Sequence, residues 1–297
     1  MFQMSVGRAV VYSAVSIFVL FNPVIAGAES QSEASSVDSR LEMEKEAEEN
    51  IFAILPHKPN YILLLTHNFR PNQEPWKGFG AGATPIKKAE IKFQVSIKVP
   101  LADDLFMEGD GLYVGYTQKS FWQAYNKEIS SPFRDNNFNP EIFYRMKLDE
   151  EVLGLNARIL ALGFEHESNG RAEALSRSWN RIYGMVVAEK SNLTVGLKAW
   201  YRIPENASED NNPDITTYLG YGELYAYYKY DSHTLGMTFR PAFSGGFKPG
   251  LQLDWSFPLF KNLQGYVQYY NGYGESLIDY NHYNNRIGVG IMLNNWL

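Results

Sequence analysis

The segment from Glu90 to Val99 alternates strictly between polar and apolar side chains. The polar set is Glu90, Lys92, Gln94, Ser96 and Lys98, and the apolar set is Ile91, Phe93, Val95, Ile97 and Val99. Because successive side chains of a β-strand point to opposite faces, this segment predicts a strand with one apolar and one charged face. Such a strand suits a wall between hydrocarbon and water, although soluble sandwiches also contain alternating strands.

The same alternation recurs along the chain at the length of a membrane-crossing strand. Further apolar faces are Leu193, Val195, Leu197, Ala199 and Tyr201; Leu235, Met237 and Phe239; Leu251, Leu253, Trp255, Phe257 and Leu259; and Ile287, Val289, Ile291 and Leu293. Turn-forming stretches at 204–213, 244–246 and 272–275 separate them. We therefore predict an all-β fold, an antiparallel transmembrane β-barrel of about 12 strands, because closed bacterial barrels have an even strand number.

Residues 1–28 differ in character from the rest of the chain. Arg8 is their only charged residue, a short apolar core follows it, and Ala26-Gly27-Ala28 offers a small-residue cleavage site. We interpret the segment as an export signal that is removed from the mature protein. An N-terminal transmembrane helix is the less favoured alternative, because Asn22 and Pro23 interrupt the apolar core. No later stretch approaches the 18 consecutive apolar residues that a spanning helix requires.

Composition narrows the class of protein further. The formal net charge of −6 argues against a nucleic-acid partner, and the absence of cysteine excludes a disulfide framework. The 20 Tyr, 18 Phe and 6 Trp match a barrel with aromatic girdles, and the Tyr-rich stretch 218–230 is predicted to form one; an ordinary aromatic core is the alternative. We expect residues 29–56 to be a periplasmic extension and residues 57–297 to form a barrel in a Gram-negative outer membrane.

The stretch 163–183 carries the candidate chemistry. His166 and Ser168 lie two residues apart, so in a strand they share one face with the apolar Phe164, whereas Glu165 and Glu167 share the other. The carboxylates belong in the barrel interior, and this parity predicts that His166 and Ser168 face the lipid. A serine beside an imidazole base is the arrangement of an acyl-transfer enzyme.

Asn180 lies on the next predicted strand, where antiparallel pairing can bring it beside His166. In the predicted mechanism His166 is the general base, Ser168 is the nucleophile and the Asn180 amide oxygen orients the imidazole. A neutral Asn stabilises the imidazolium less than a carboxylate does, so the oxyanion needs other electrostatic help. A His-x-Ser sequence is also found by chance on protein surfaces, and Asn169-Gly170 is as consistent with a turn as with an oxyanion contact. The alternatives are a non-catalytic barrel, such as a channel, and an outer-membrane protease.

Six stretches of the chain resemble the outer membrane phospholipase A family, which consists of calcium-dependent barrels in Gram-negative outer membranes. They are residues 116–124, 130–135, 166–172, 176–182, 212–217 and 272–281. The HESNGR and SRSWNR motifs at this spacing are specific to the family. The resemblance implies His166, Ser168 and Asn180 as the catalytic triad, phospholipase A1, A2 and lysophospholipase activities, and activation by homodimerisation.

The resemblance also implies a Ca²⁺ site at the dimer interface. Its ligands would be the Ser176 hydroxyl and the Arg171 carbonyl of one subunit, with the Ser130 carbonyl from the other. Oxygen-only ligation with several waters suits Ca²⁺. The ion is expected to help stabilise the oxyanion, for which the Gly170 amide is a further candidate donor. Gln118 matches a polar position in the family's dimer interface.

Overall fold

The computed structural model describes residues 35–48, 50, 52–77, 86–261 and 263–295. The proposed signal segment 1–28 lies outside the described residues. The strands are β1 (Leu55–Pro56), β2 (Asn60–Asn68), β3 (Ala89–Asp103), β4 (Gly111–Trp122), β5 (Phe133–Val152), β6 (Leu155–Ser168), β7 (Ser178–Lys190), β8 (Leu193–Ile203), β9 (Gly222–Tyr230), β10 (His233–Arg240), β11 (Gly250–Phe260), β12 (Leu263–Tyr273) and β13 (Tyr283–Asn294). The helices are α1 (Ser36–Glu48) and α2 (Ile215–Leu219), and single 3₁₀ turns occupy Glu74–Trp76, Lys127–Ile129 and Glu173–Leu175.

Strands β2 to β13 form a closed antiparallel barrel of 12 strands, as the alternation predicts. Each strand pairs with the next along the chain, and β13 pairs with β2 through the register Arg286↔Asn68. Closure pairs both edge strands of the described sheet with each other, and a bilayer does not tolerate unpaired edges. The short strand β1 is additional to the barrel and pairs with β3, Leu55 opposite Lys98.

The two faces of the wall have the chemistry that the period of two predicts. On β3, Glu90 and Lys92 are buried inside the barrel, whereas Val95 and Val99 are 48% and 38% exposed on the outside. Charges inside the barrel are paired, as in the contact of 3.0 Å between Lys92 Nζ and the Glu275 carboxylate. Pairing is required because an isolated charge withdrawn from water is very costly.

The strands are joined by short turns at one end of the barrel and by longer segments at the other. The short β5–β6 turn contains Leu153 and Gly154 with positive φ angles of 55° and 78°. The longer segments include 123–132, 169–177, 204–221 and 274–282. The candidate catalytic strand β6 ends at Ser168, directly before one of these longer segments, so the site lies at this end of the barrel.

Helix α1 lies within the segment expected to be an extension, and it packs against inward-facing barrel side chains. Ser35 caps it by accepting a hydrogen bond from the Asp38 amide at 2.8 Å. The buried Glu44 carboxylate contacts Lys98 Nζ at 2.7 Å and Arg145 Nη1 at 2.6 Å. Val37 is 1% exposed and packs against Ile159 and Val187 of the wall.

The predicted aromatic girdle at residues 218–230 is only partly present on the outer face. Tyr228 and Tyr230 are exposed on the outer face, as a girdle requires, but Tyr225 is directed inward, where its hydroxyl donates to Glu223. The Tyr-rich stretch is therefore divided between the two faces by the alternation of β9. None of the described helices is long and apolar enough to cross a membrane.

Candidate active site

His166 and Ser168 lie on the outer face of β6, as the parity of the strand predicts. The preceding residues on this face, Leu162 and Phe164, are 54% and 40% exposed, whereas the intervening Glu165 is 1% exposed inside the barrel. His166 and Ser168 themselves are half-buried. A serine and an imidazole thus stand at the end of an outward apolar stripe, on the surface that faces lipid.

Asn180 is brought beside His166 by the pairing of β6 with β7. The antiparallel register sets His166 opposite Asn180 and Ser168 opposite Ser178. His166 Nδ1 lies 2.9 Å from Asn180 Oδ1, within hydrogen-bond distance. Because an amide oxygen can only accept, this contact requires the proton on Nδ1 and leaves Nε2 as the basic nitrogen.

The backbone carbonyl of His166 accepts a hydrogen bond from the side chain of Asn139 on the neighbouring strand β5. The register pairs Phe138 with Ser168 and Glu141 with Glu165, which puts Pro140 opposite His166. Pro140 has no amide hydrogen to donate to the sheet. The Asn139 side-chain amide donates to the His166 carbonyl instead, at 2.9 Å. Sequence reasoning did not identify Asn139 as part of the site.

Loop 169–177 is organised by the buried side chain of Asn169. Its Nδ2 donates to the Leu175 carbonyl at 2.8 Å, and its Oδ1 accepts from the Arg177 amide at 2.9 Å. These bonds join the two ends of the loop and hold the residues that follow Ser168 in a defined turn.

Gly170, the candidate oxyanion donor, occupies this turn with a φ of 62°. A Cβ added there would lie 3.0 Å from the Phe138 ring, so both the backbone angle and the space favour glycine. Its amide donates to no acceptor in the part of the chain that the structure describes. An exposed backbone donor two residues after Ser168 has the chemistry that an oxyanion contact requires.

The predicted calcium ligands lie in the loops around this turn. Among the described residues no group of three or more His, Cys, Asp or Glu side chains is arranged to hold a metal ion. The expected ligands are instead neutral oxygens, and no described donor occupies the carbonyl of Arg171 or of Ser130. The Ser176 hydroxyl accepts one hydrogen bond, from Asn211 Nδ2 at 3.2 Å. Hard, neutral oxygens of this kind fit Ca²⁺ with a partly hydrated coordination shell.

Contacts and backbone angles near loop 169–177 define the surroundings of the expected calcium ligands. Arg171 Nη2 donates to the Phe133 carbonyl at 2.6 Å and thereby ties the loop to the beginning of β5. Ser130, in the segment just before β5, has a left-handed φ of 61°. The acidic Asp210 is held by Arg202 through two contacts of 2.7 Å.

Gln118 lies on the outer face of β4 at the same level as Ser168. The registers pair Gln118 with Phe138 and Phe138 with Ser168. Neighbouring strands are separated by about 4.8 Å, so the two positions are roughly 10 Å apart along the wall. Gln118 Nε2 donates to Ser120 Oγ at 3.0 Å.

The segment 204–221 contributes contacts that sequence reasoning missed. Asn212 is fully buried, and its Oδ1 accepts from the Ser178 amide at 3.0 Å. Tyr280 donates to the Asp214 carboxylate at 2.5 Å, and burial together with that carboxylate raises the pKa of Tyr280, so it remains a donor. Asn180 Nδ2 donates to Glu205 at 3.2 Å. The 212–217 motif was a signal for this segment, but its spacing alone does not say which strand it contacts.

Similarity to known proteins shows the family to which this chain belongs. The family model described as Phospholipase A1 matches residues 37–293. The chain belongs to the phospholipase A1 family. The phospholipase A1 of Klebsiella pneumoniae is 39% identical over 246 residues, covering 83% of this chain and 84% of that protein. The phospholipase A1 of Escherichia coli K12 is also 39% identical over 246 residues, covering 83% of each chain.

Solved structures of the family agree with the barrel described above. Outer membrane phospholipase A from Escherichia coli superposes with a TM-score of 0.78 at 39% identity, covering 83% of this chain and all of that one. The Salmonella typhi outer membrane phospholipase, crystallised as a dimer with bound calcium, superposes at 0.79 with 38% identity, covering 84% and 94%. The predicted family and the predicted barrel are therefore confirmed. The relatives and the fold support a location in the outer membrane.

Proposed function

We propose that this chain is a calcium-dependent outer-membrane phospholipase that hydrolyses acyl esters of phospholipids and lysophospholipids through a Ser168–His166–Asn180 triad. The observation that carries the proposal is the contact of 2.9 Å between His166 Nδ1 and Asn180 Oδ1 on the outer face, with Ser168 on the same face. A serine nucleophile on the wall meets acyl chains directly, whereas a channel or a protease has its functional residues in the lumen or at its mouth.

The proton path follows from the tautomer of His166. With Nδ1 donating to Asn180, the free Nε2 takes the Ser168 proton as the serine oxygen attacks the ester carbonyl. The tetrahedral oxyanion is stabilised by the Gly170 amide. His166 then protonates the departing alcohol, leaving an acyl-serine. Water, activated by the same nitrogen, releases the fatty acid and regenerates Ser168.

The proposed calcium ligands are the Ser176 hydroxyl and the Arg171 carbonyl, completed by the carbonyl of Ser130 of the partner subunit. When bound, the ion supplies positive charge that polarises groups or water near the oxyanion. The chain itself holds these oxygens in place through Asn169 and through the Arg171 contact with Phe133. A site divided between two subunits makes calcium binding and dimerisation mutually dependent, because each completes the other's ligand set.

Dimerisation is proposed to occur along the outer face that carries Gln118. The registers put Gln118 two strands from Ser168 at the same level, so a partner seated there also borders the active site. Hydrogen bonding between polar side chains can hold helices together in lipid. We propose the same role for Gln118 between barrel walls. An isolated monomer would lack both the full calcium site and one wall of the acyl pocket.

The remaining proposals concern the layout of the chain and its substrates. Residues 1–28 are proposed to direct export, residues 29–56 to form the N-terminal extension, and residues 57–297 to form the catalytic barrel. The lipid-facing serine makes both acyl positions of a phospholipid accessible in principle, which supports phospholipase A1, phospholipase A2 and lysophospholipase activities. The substrate is proposed to arrive laterally from the membrane.

The channel alternative finds less support in the barrel interior. Arg286 contacts Glu90 at 2.7 Å and Glu275 at 2.9 Å. Loop 274–282 folds inward, where the Ile278 amide donates to Asp135 at 3.0 Å. The cavity that loop residues Glu275, Ser276 and Leu277 line together with inward-facing strand residues has a volume of about 240 Å³. This crowded lumen favours the enzyme over a wide pore.

The test is release of fatty acid from phospholipid by detergent-refolded protein, first with calcium and then with EDTA. Ser168→Ala should abolish hydrolysis and leave a heat-modifiable barrel. Ser178→Ala is the matched control, because Ser178 lies opposite Ser168 on the neighbouring strand; it should retain activity. Full activity in Ser168→Ala would refute the triad. Activity that is equal in calcium and EDTA would refute the calcium site.

A further inference from the structure

Asn180 is hydrogen bonded on both sides of its side-chain amide. Its Oδ1 lies 2.9 Å from His166 Nδ1, and its Nδ2 donates to Glu205 Oε1 at 3.2 Å. We infer that Glu205 is a positioning residue of this site, which extends the triad to the ordered chain Ser168, His166, Asn180, Glu205. The inference rests on the proposed function, since it assigns Glu205 a role in orienting the proposed catalytic base.

The first contribution of Glu205 is to select the orientation of the amide. The two ends of an Asn side chain have almost the same shape, but the oxygen only accepts and the nitrogen only donates. An ionised carboxylate accepts and never donates, so Nδ2 must face Glu205 and Oδ1 must face His166. The flipped amide would present a donor to His166 and stabilise the tautomer with its basic nitrogen turned away from Ser168.

The second contribution is negative charge. A triad that ends in neutral Asn lacks the carboxylate that stabilises the imidazolium formed when Ser168 loses its proton. Glu205 supplies that charge one amide further from the imidazole. The amide between them is polarised in the favourable sense, with its nitrogen toward the carboxylate and its oxygen toward His166.

The local fold leaves Glu205 available for this role. The register pairs Asn180 with Ile203, so Glu205 follows two residues after the end of β8, beside the site. Within the described residues the Glu205 carboxylate has no Lys or Arg at ion-pair distance, and Asn180 is its hydrogen-bond partner. The nearby Arg202 does not form an ion pair with Glu205, because its guanidinium contacts both carboxylate oxygens of Asp210 at 2.7 Å.

The first test is Glu205→Gln in the full-length mature protein, assayed on phospholipid with saturating calcium. Gln either donates or accepts, so it no longer selects one amide orientation, and it removes the charge. We expect kcat to fall about tenfold with KM unchanged, as is typical when a group that orients a functional side chain is removed. Glu209→Gln, an exposed carboxylate of the same segment, is the charge-matched control and should retain wild-type kcat.

The second test reverses the sign of the effect. In Asn180→Asp, two carboxylates face each other where Asn180 and Glu205 are now hydrogen bonded, and kcat should be low. Adding Glu205→Gln to that variant removes the repulsion and gives Asp a donor, so kcat should rise. Glu205→Gln is therefore expected to lower activity beside Asn180 and to raise it beside Asp. A purely structural role would lower activity in both backgrounds.

The outcomes separate this inference from the proposed function. If Ser168→Ala is inactive but Glu205→Gln has wild-type kcat, the triad stands and the role of Glu205 is refuted. A decrease with Glu205→Gln in both backgrounds would also refute it. If Ser168→Ala is active, the proposed function itself fails.

Discussion

We expect the side chain of Glu44 to hold helix α1 in its place inside the barrel. Its carboxylate contacts Lys98 Nζ at 2.7 Å, Arg145 Nη1 at 2.6 Å and Arg40 Nε at 2.9 Å. Glu44 and Lys98 are 5% and 4% exposed, so their charges are almost fully withdrawn from water. The change Glu44→Gln keeps the shape of the side chain and removes the charge.

The expected loss is large for a single residue. Removing one partner of a buried ion pair costs about 3–5 kcal/mol, because the remaining charges are left uncompensated. Gln retains one acceptor oxygen, so we expect the lower end, about 3 kcal/mol. Burial of Val37 continues to contribute about 1.5–3 kcal/mol. The helix should therefore open roughly a hundredfold more often without detaching completely.

Hydrogen–deuterium exchange of the mature protein in detergent measures this opening directly. Amides of residues 36–48 should exchange faster in Glu44→Gln, whereas those of the barrel strands should not change. Glu46→Gln is the matched control, since Glu46 is an exposed carboxylate of the same helix. Wild-type exchange over residues 36–48 in Glu44→Gln would show that these ion pairs do not hold α1 in the barrel.

Two further predictions follow from the described contacts. Burial alone would raise the pKa of Glu44, but Lys98, Arg40 and Arg145 outweigh it and hold that pKa below its ordinary value of 4.5. Because the docked helix binds fewer protons at Glu44 than the undocked helix, this residue stabilises docking fully above pH 4.5, and the stabilisation is lost as the pH falls below that value. Burial raises the pKa of Glu48, and this opposes part of the effect of Glu44. Exchange of residues 36–48, corrected for its intrinsic pH dependence, should increase on acidification, and an unchanged profile would contradict this. Asn139→Ala leaves the His166 carbonyl without its side-chain donor and should destabilise the site by about 1–3 kcal/mol, lowering kcat and the thermal midpoint together; wild-type values of both would contradict the assigned support.

The candidate triad shows which parts of the site can be predicted from residue spacing. The alternation of β6 determines that His166 and Ser168 share the lipid side, since the strand period is a local property of the chain. The pairing of His166 with Asn180 depends in addition on the register between β6 and β7. The family motifs predicted this pairing, and the contact of 2.9 Å between the two side chains agrees with it. Asn139 was not anticipated, because its role arises only from the missing amide hydrogen of a proline on the neighbouring strand.

By itself, the sequence predicted the closed barrel, the alternation of apolar and polar faces along its strands and the family, because these follow from short-range periodicity and from contiguous motifs. Only the tertiary structure decided that Glu205 lies behind Asn180 and that Glu44 lies between Lys98 and Arg145. Those contacts join a loop or a helix to residues far away along the chain. Their geometry depends on loop conformation and on packing inside the barrel, and neither has a repeating pattern in the sequence.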